Sequence, residues 1–306
     1  MTDVSIILPS YNHALFLEER LNSIINQTFS NWKLIIIDDC SKDNSLKILK
    51  KFKEKYPNKI EQFIVNKTNS GSGYNSWNLG IKLAKSDYIW IAETDDYSAP
   101  TFLEEQVTIL EANKDVALSF CASNYVNQEG EYLYDSTNRL KKLEVVRENY
   151  GVFSSEVFTN SMPFHTLITN GSSVVFRKPQ DCIPEEIFTF KQCSDIFFWT
   201  HLLKCNKFIF LNKNLNYFRR HEDSTSTKNF NFNLLSVYKE KIEYLNIFKQ
   251  HHKYEEFIEH YVIFYVLKNK SKFHKIDFLK KLNNIRFIKI KYYKILFKIF
   301  LKKLNK

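Results

Sequence analysis

The segment IWIAETDDYSAP, Ile89 to Pro100, ends a run of strand-forming residues in three acids, Glu93, Asp95 and Asp96. Carboxylates this close repel one another, so the fold must use them to cap a helix, pair them with bases or hold a cation among them. Two other groups share their placement. PSYN follows the apolar run VSIILP, which stops at Pro9, and DDCS follows WKLIIID, so Asp38 and Asp39 also stand where a strand gives out. Oxygen ligands in this number suit Mg²⁺ or Mn²⁺, and such an ion bridges the phosphates of a nucleotide. Metal, diphosphate and a carboxylate to read a base are the outline of a nucleotide-sugar site. Each group also has a purely structural reading. Asp39 with Ser41 can cap a helix, Asp96 with Ser98 and Pro100 can begin the helix carrying Leu103, Val107 and Leu110, and Tyr11 can be a half-buried aromatic.

The elements that must position these residues alternate. VSIILP reads as a strand, and Leu17, Leu21, Ile24 and Ile25 then recur at helical spacing. WKLIIID is a second strand, followed by a helix opened by Ser41 that carries Leu46, Leu49 and Phe52. IEQFIV, the helix NSWNLGIKLA and the strand DYIWIA continue the series. This predicts an α/β fold: a mostly parallel, Rossmann-like sheet with right-handed crossovers and helices on both faces. Such sheets hold ligands beyond the carboxyl ends of their strands, so Asp38, Asp39, Glu93, Asp95 and Asp96 should converge on one rim. After residue 125 the alternation fades. NYVNQEGEYLYD reads as a hairpin around Glu129 and Gly130, residues 139–165 as an irregular loop of the sort that covers a site, Ser172 to Arg177 as a strand, and Asp195 as the start of a helix.

Composition narrows the class. The chain has 306 residues, 44% hydrophobic, enough for one sizeable core with an appended subdomain. No signal peptide or charge-free transmembrane run is read, and five scattered cysteines without a CxxC pair argue against a disulfide framework or a zinc site, so a reducing cytoplasm is expected. The net charge of +10 is a property of the tail. From Tyr261 onward 14 basic residues face the single acid Asp277, whereas residues 1–260 carry 30 basic and 33 acidic residues.

SIILPSYN, LNSIINQTFSNWKLIIIDDCSKDNS and NSGSGYNSWNLGIKLAKSDYIWIAETDD together resemble the family 2 glycosyltransferases of the GT-A fold, mostly inverting enzymes that use nucleotide-activated sugars. The likeness is close over residues 3–125 and continues more weakly to about residue 226. It implies that Pro9 and Tyr11 form the wall for a nucleobase and that Asp39 accepts the N3 hydrogen of uracil. It further implies that Asp95 contacts ribose or metal and that Asp96 binds the metal beneath the diphosphate. Asp195 corresponds to the general base, since an inverting transfer needs one group to take the proton of the attacking hydroxyl. In LNYFRRHEDSTS, His221 would complete the metal shell or touch the diphosphate, and Arg219 or Arg220 would neutralise phosphate as it leaves. Three positions depart from the family: Glu93 where Asp is frequent, Trp77 where a basic residue often stands, and Cys40 in place of a common glycine.

The expectation is therefore a metal-dependent inverting hexosyltransferase. It would use Mn²⁺ or Mg²⁺ and a UDP-sugar, with a cell-envelope glycan as acceptor, lipopolysaccharide, capsule or an oligosaccharide precursor, expected to be lipid-linked. A dTDP- or GDP-sugar donor and a catalytically silent scaffold are the alternatives. A phospho-acceptor module fits poorly, because its acidic pair should follow the first strand, where PSYN stands. Residues 1–226 would form the catalytic domain, split into a nucleotide half, 1–125, and an acceptor half, 126–226. Residues 227–306 would be a helical basic extension. Its last helix sets Lys291, Lys294, Lys298 and Lys302 along one stripe, which suits either an anionic bilayer on the inner face of the membrane or packing on the domain with solvated lysines. No nucleic-acid motif accompanies the charge.

Overall fold

The computed structural model describes residues 2–143, 145, 149–222, 224 and 234–260. The basic segment at the end of the chain lies outside these residues. The chain divides into two compact units, Met1–Val237 and Tyr238–Lys306.

The first unit is built on ten strands: β1 (Val4–Ser10), β2 (Trp32–Asp38), β3 (Ile60–Val65), β4 (Tyr88–Ile91), β5 (Tyr97–Ser98), β6 (Val116–Val126), β7 (Tyr132–Asp135), β8 (Tyr150–Ser154), β9 (Val174–Arg177) and β10 (Lys207–Arg219). They form one sheet ordered β3-β2-β1-β4-β9-β6-β10-β5, with β7 on β6 and β8 on β10. β3, β2, β1 and β4 are parallel, as is the β6–β10 pair, and β9 enters antiparallel between β4 and β6. The central parallel strands are covered on both sides, which is why β1, β2 and β4 read as continuous apolar runs. Among the described residues seven helices accompany them: α1 (Ala14–Ile25), α2 (Ser45–Lys55), α3 (Gly73–Leu83), α4 (Phe102–Ala112), α5 (Thr137–Leu140), α6 (Ser155–Ser161) and α7 (Ser194–Leu202).

Strand alternation sorts the core into two layers. Val4, Ile6 and Leu8 pack with Leu17, Leu21 and Ile24 of α1, Leu49 and Phe52 of α2, and Leu103, Val107 and Leu110 of α4. Ile7 points to the opposite face and lies against α3. A Cβ at Gly80 would come within 2.4 Å of Ile7 Cγ2, so only glycine permits this approach. On the same face Trp77 meets Phe198 and Trp199 of α7 at ring separations of 6.3 and 5.8 Å.

Several local readings change. The second helix starts at Ser45 instead of Ser41, because residues 41–43 make bonds across to the β1 loop. Ser41 Oγ accepts from Asn12 N–H at 3.1 Å, and Asp43 accepts from Ala14 and Ser45 N–H, each at 2.9 Å. Gly171–Ser173 form a 3₁₀ turn, so the strand read from Ser172 begins at Val174. Residues 139–165 are not irregular throughout, since β8 pairs antiparallel with β10 and α6 follows it. β8 shows no apolar period, hence its invisibility. The hairpin is as expected: Asn127 Oδ1 accepts from the N–H of Glu129 and Glu131 at 3.1 and 2.8 Å, and Gly130 takes φ +88°.

The helix α8 (Leu234–Ile247) lies mostly in the second unit and there buries Tyr238, Ile242 and Leu245. Tyr238 stacks on Phe257 at 5.5 Å. Among the described residues no helix is long and apolar enough to cross a membrane.

The Gly80–Ile7 contact is directly testable. Gly80→Ala should lower stability by about 1–3 kcal/mol despite the better helix propensity of alanine. Ile7→Ala, which removes the clashing Cγ2, should cost less in the Gly80→Ala background than in the parent in urea unfolding curves.

Candidate functional site

The parallel register brings three strand ends to one level. Ser10 pairs with Asp38, Asp39 N–H donates to Ser10 O at 2.8 Å, and Ala92 N–H donates to Ile7 O at 2.8 Å. The residues that follow surround a cavity of about 520 Å³. Of the residues singled out in the sequence, Pro9, Tyr11, Asp39, Glu93, Asp95 and Asp195 line it, as does Trp77.

Pro9 and Tyr11 form one wall, with Tyr11 42% exposed. Asp39 beside them is held by the loop after β3. Its carboxylate accepts from Asn66 Nδ2 at 2.6 Å, from Ser70 N–H at 3.0 Å and from Ser70 Oγ at 2.8 Å. Asp39 therefore braces that loop and does not cap α2. Cys40 has φ +65°, the left-handed region that glycine enters freely, which accounts for a position where glycine is common.

The acids of ETDD differ in their surroundings. Asp96 is 1% exposed and lies beneath the cavity, its Oδ2 accepting from Asn170 Nδ2 at 2.5 Å and its Oδ1 from Arg219 N–H at 3.0 Å. It is not a helix cap. Burial and the neighbouring Asp95 push its carboxyl up to about 7, with Arg20 opposing. Glu93 is held well above the usual range by burial and by the charges of Asp95, Asp96 and Asp195. Asp95 goes the other way: burial works against its charge, but the His221 hydrogen bond at 3.1 Å and the nearby His13 hold it below its ordinary value. Negative charge thus concentrates on Asp95.

Two arginines anchor this arrangement. Arg20 is fully buried, donating through Nε to Glu93 O at 2.9 Å and through Nη2 to Ser172 Oγ at 3.0 Å, with its guanidinium 4.9 Å from the Trp90 ring. Burial lowers it to about 10, against the pull of Asp96, Asp95 and Glu93. Arg219 donates through Nε to Asp95 O at 2.9 Å, through Nη1 to the carbonyls of Asn127 and Gln128, and pairs with Glu19. Arg220 is not part of the cavity wall; its guanidinium lies 5.6 Å from the ring of Phe218, which is.

Asp195 stands in the first turn of α7 and faces the cavity. The Ser194 hydroxyl is turned away to the Phe190 carbonyl. The donor atoms of Glu93, Asp95 and Asp96 lie within 4.8 Å of one another, as do those of His13, Asp95 and His221. Carboxylate oxygens with imidazole nitrogens fit a divalent cation such as Mn²⁺.

Three contributors escaped the sequence reading. His13 lies just past PSYN in a turn, where periodicity gives no signal. Arg20 carried one: it falls three residues after Leu17 and four before Ile24, a charge on the buried stripe of α1. Asn170, which binds Asp96 from a distant loop, had none. Replacing Arg20 by methionine should cost about 3–5 kcal/mol in denaturant unfolding, because the acids lose their buried counter-charge.

Comparison with known proteins agrees with this geometry. The family profile Glycosyl transferase family 2 matches residues 5–169. The chain is 40% identical over 111 residues to the putative glycosyltransferase EpsE of Bacillus subtilis, covering 36% of this chain and 39% of EpsE. It is 31% identical over 121 residues to the poly(ribitol-phosphate) beta-N-acetylglucosaminyltransferase TarS of Staphylococcus aureus, covering 39% of this chain and 21% of TarS. The matched segment thus spans two-fifths or less of these relatives. The crystal structure of S. aureus TarS 1–349 in complex with UDP-GlcNAc superimposes with a TM-score of 0.57 at 19% identity, covering 80% of this chain and 67% of that one. At that identity the likeness shows a shared fold, the GT-A arrangement. With more than half of its length matched by the profile, the chain belongs to glycosyl transferase family 2.

Proposed function

We propose that this protein is a metal-dependent inverting glycosyltransferase that moves a hexose or N-acetylhexosamine from a UDP-sugar to a hydroxyl of a cell-envelope glycan. The observation that carries this reading is the single cavity shared by Pro9, Tyr11, Asp39, Glu93, Asp95 and Asp195. It sets a flat apolar wall and a carboxylate at one end, suited to a nucleobase, and a charged acid cluster beyond them. Relatives named for poly(ribitol-phosphate) glycosylation support an envelope polymer rich in hydroxyls as acceptor. A lipid-linked acceptor, and attachment of the basic C-terminal segment to an anionic membrane, rest on the charge of residues 261–306.

In this reading Pro9 and Tyr11 hold the uracil, and Asp39, already fixed by Asn66 and Ser70, accepts its N3 hydrogen with a remaining lone pair. Asp95 and His221, with Asp96 beneath and Glu93 beside them, form the set that would hold a divalent cation, which supplies positive charge to the diphosphate. Arg220, whose guanidinium lies 5.6 Å from the ring of the cavity-lining Phe218, is the base that would take up phosphate charge. Asp195 accepts the proton of the acceptor hydroxyl as the oxygen attacks the anomeric carbon and UDP departs from the opposite side.

Two measurements test the reading. Calorimetric titration of UDP, dTDP, GDP and ADP, each with and without Mn²⁺, should show metal-dependent UDP binding that Asp95→Ala removes; a protein that binds none of the four would end the proposal. Asp195→Asn should keep UDP-sugar affinity while turnover falls by roughly 10²–10⁴, and unchanged turnover would remove Asp195 from the mechanism. For the membrane, truncation after Asn283 should release the protein from anionic liposomes in a flotation assay.

A further inference from the structure

We propose that His13 is a metal ligand, so that the cation is held by two imidazoles and one carboxylate, His13, Asp95 and His221, and that this set selects Mn²⁺ over Mg²⁺. The inference rests on the metal-dependent reading above and adds a ligand that the strand-end motifs do not contain.

Four observations converge on it. The donor atoms of the three residues lie within 4.8 Å of one another, a span that one ion can bridge with small side-chain rotations. The rings of His13 and His221 meet edge to face at 5.9 Å, and His221 Nε2 already contacts Asp95 Oδ2 at 3.1 Å. His13 and Asp95 both line the cavity. The fourth observation orients the ring. Thr94 Oγ1 lies 2.6 Å from His13 Nδ1 and 3.2 Å from Pro9 O. When the hydroxyl hydrogen goes to Pro9 O, Nδ1–H donates to Thr94 and Nε2 of the neutral ring keeps a lone pair. This is the outer-sphere arrangement that characterises ligating histidines, in which one ring nitrogen is tied to an oxygen so that the other is aimed and basic.

Asp95 is the more accessible of the two aspartates. Asp96, 1% exposed, accepts from Asn170 through Oδ2 and from the Arg219 backbone through Oδ1. Asp95 exposes a carboxylate between two imidazoles. Mg²⁺ favours all-oxygen shells and holds its waters tightly, whereas imidazole nitrogen is a ligand of the divalent transition ions, a series in which Mn²⁺ binds least tightly.

Electron paramagnetic resonance of added Mn²⁺, with and without UDP, reads this directly. In the full-length protein the nitrogen modulation of bound Mn²⁺ should report two imidazoles, and His13→Ala and His221→Ala should each report one. His13→Ala should weaken Mn²⁺ binding roughly tenfold or more and change Mg²⁺ binding less. Thr94→Val, which leaves the ring but removes the hydroxyl beside Nδ1, should weaken Mn²⁺ by a smaller factor. If His13→Ala loses its near-ultraviolet dichroism, His13→Gln carries the comparison. A two-nitrogen spectrum or parental Mn²⁺ affinity in the folded His13 variants would overturn the proposal while leaving the metal reading intact. A parent protein that binds no Mn²⁺ with or without UDP would end both.

Discussion

A buried guanidinium underlies the carboxyl edge of this sheet. Three acids could not gather at the end of β4 without positive charge, and Arg20 provides it from inside the protein, where no solvent can screen it. Its Nε grips the backbone of Glu93, its Nη2 grips Ser172 in the turn before β9, and its face rests on Trp90. One side chain therefore ties helix, strand end and turn to the same point. The cost of desolvating an arginine is offset only because the acids are there, and the acids are tolerable only because the arginine is.

That mutual dependence leaves the three carboxyls with distinct work. Asp96, committed to Asn170 and the Arg219 backbone, knits β10 to the strand end. Glu93 is pushed toward its neutral form by its neighbours, and Asp95, drawn to His221, keeps its charge. Sequence proximity thus conceals a gradient of surroundings across four positions, from buried keystone to cavity-facing carboxylate.

Much of the architecture was readable from pattern because the parallel strands are buried on both faces and bounded by turn residues. The strand ends, and so the candidate site, followed from the rule that doubly wound sheets bind ligands there. What escaped reading was set by tertiary partners. Whether Asp96 faces the cavity depends on Asn170 and Arg219, residues 74 and 123 positions away. The start of α2 depends on bonds to the β1 loop, and β8, an edge strand of mixed burial, carries no period. Cys40 was the reverse case: a departure from glycine that the positive φ makes intelligible, since the backbone keeps the conformation and only the side chain has changed.

Arg219 closes the site from the end of β10, bonding Asp95 and the β6–β7 turn across 124 and 92 positions. Arg20, by contrast, precedes the acids in the chain. The strand-end acids are thus held by one arginine that precedes them and by one that follows them by more than a hundred residues, so a chain cut before residue 219 lacks the bond that fixes the Asp95 backbone.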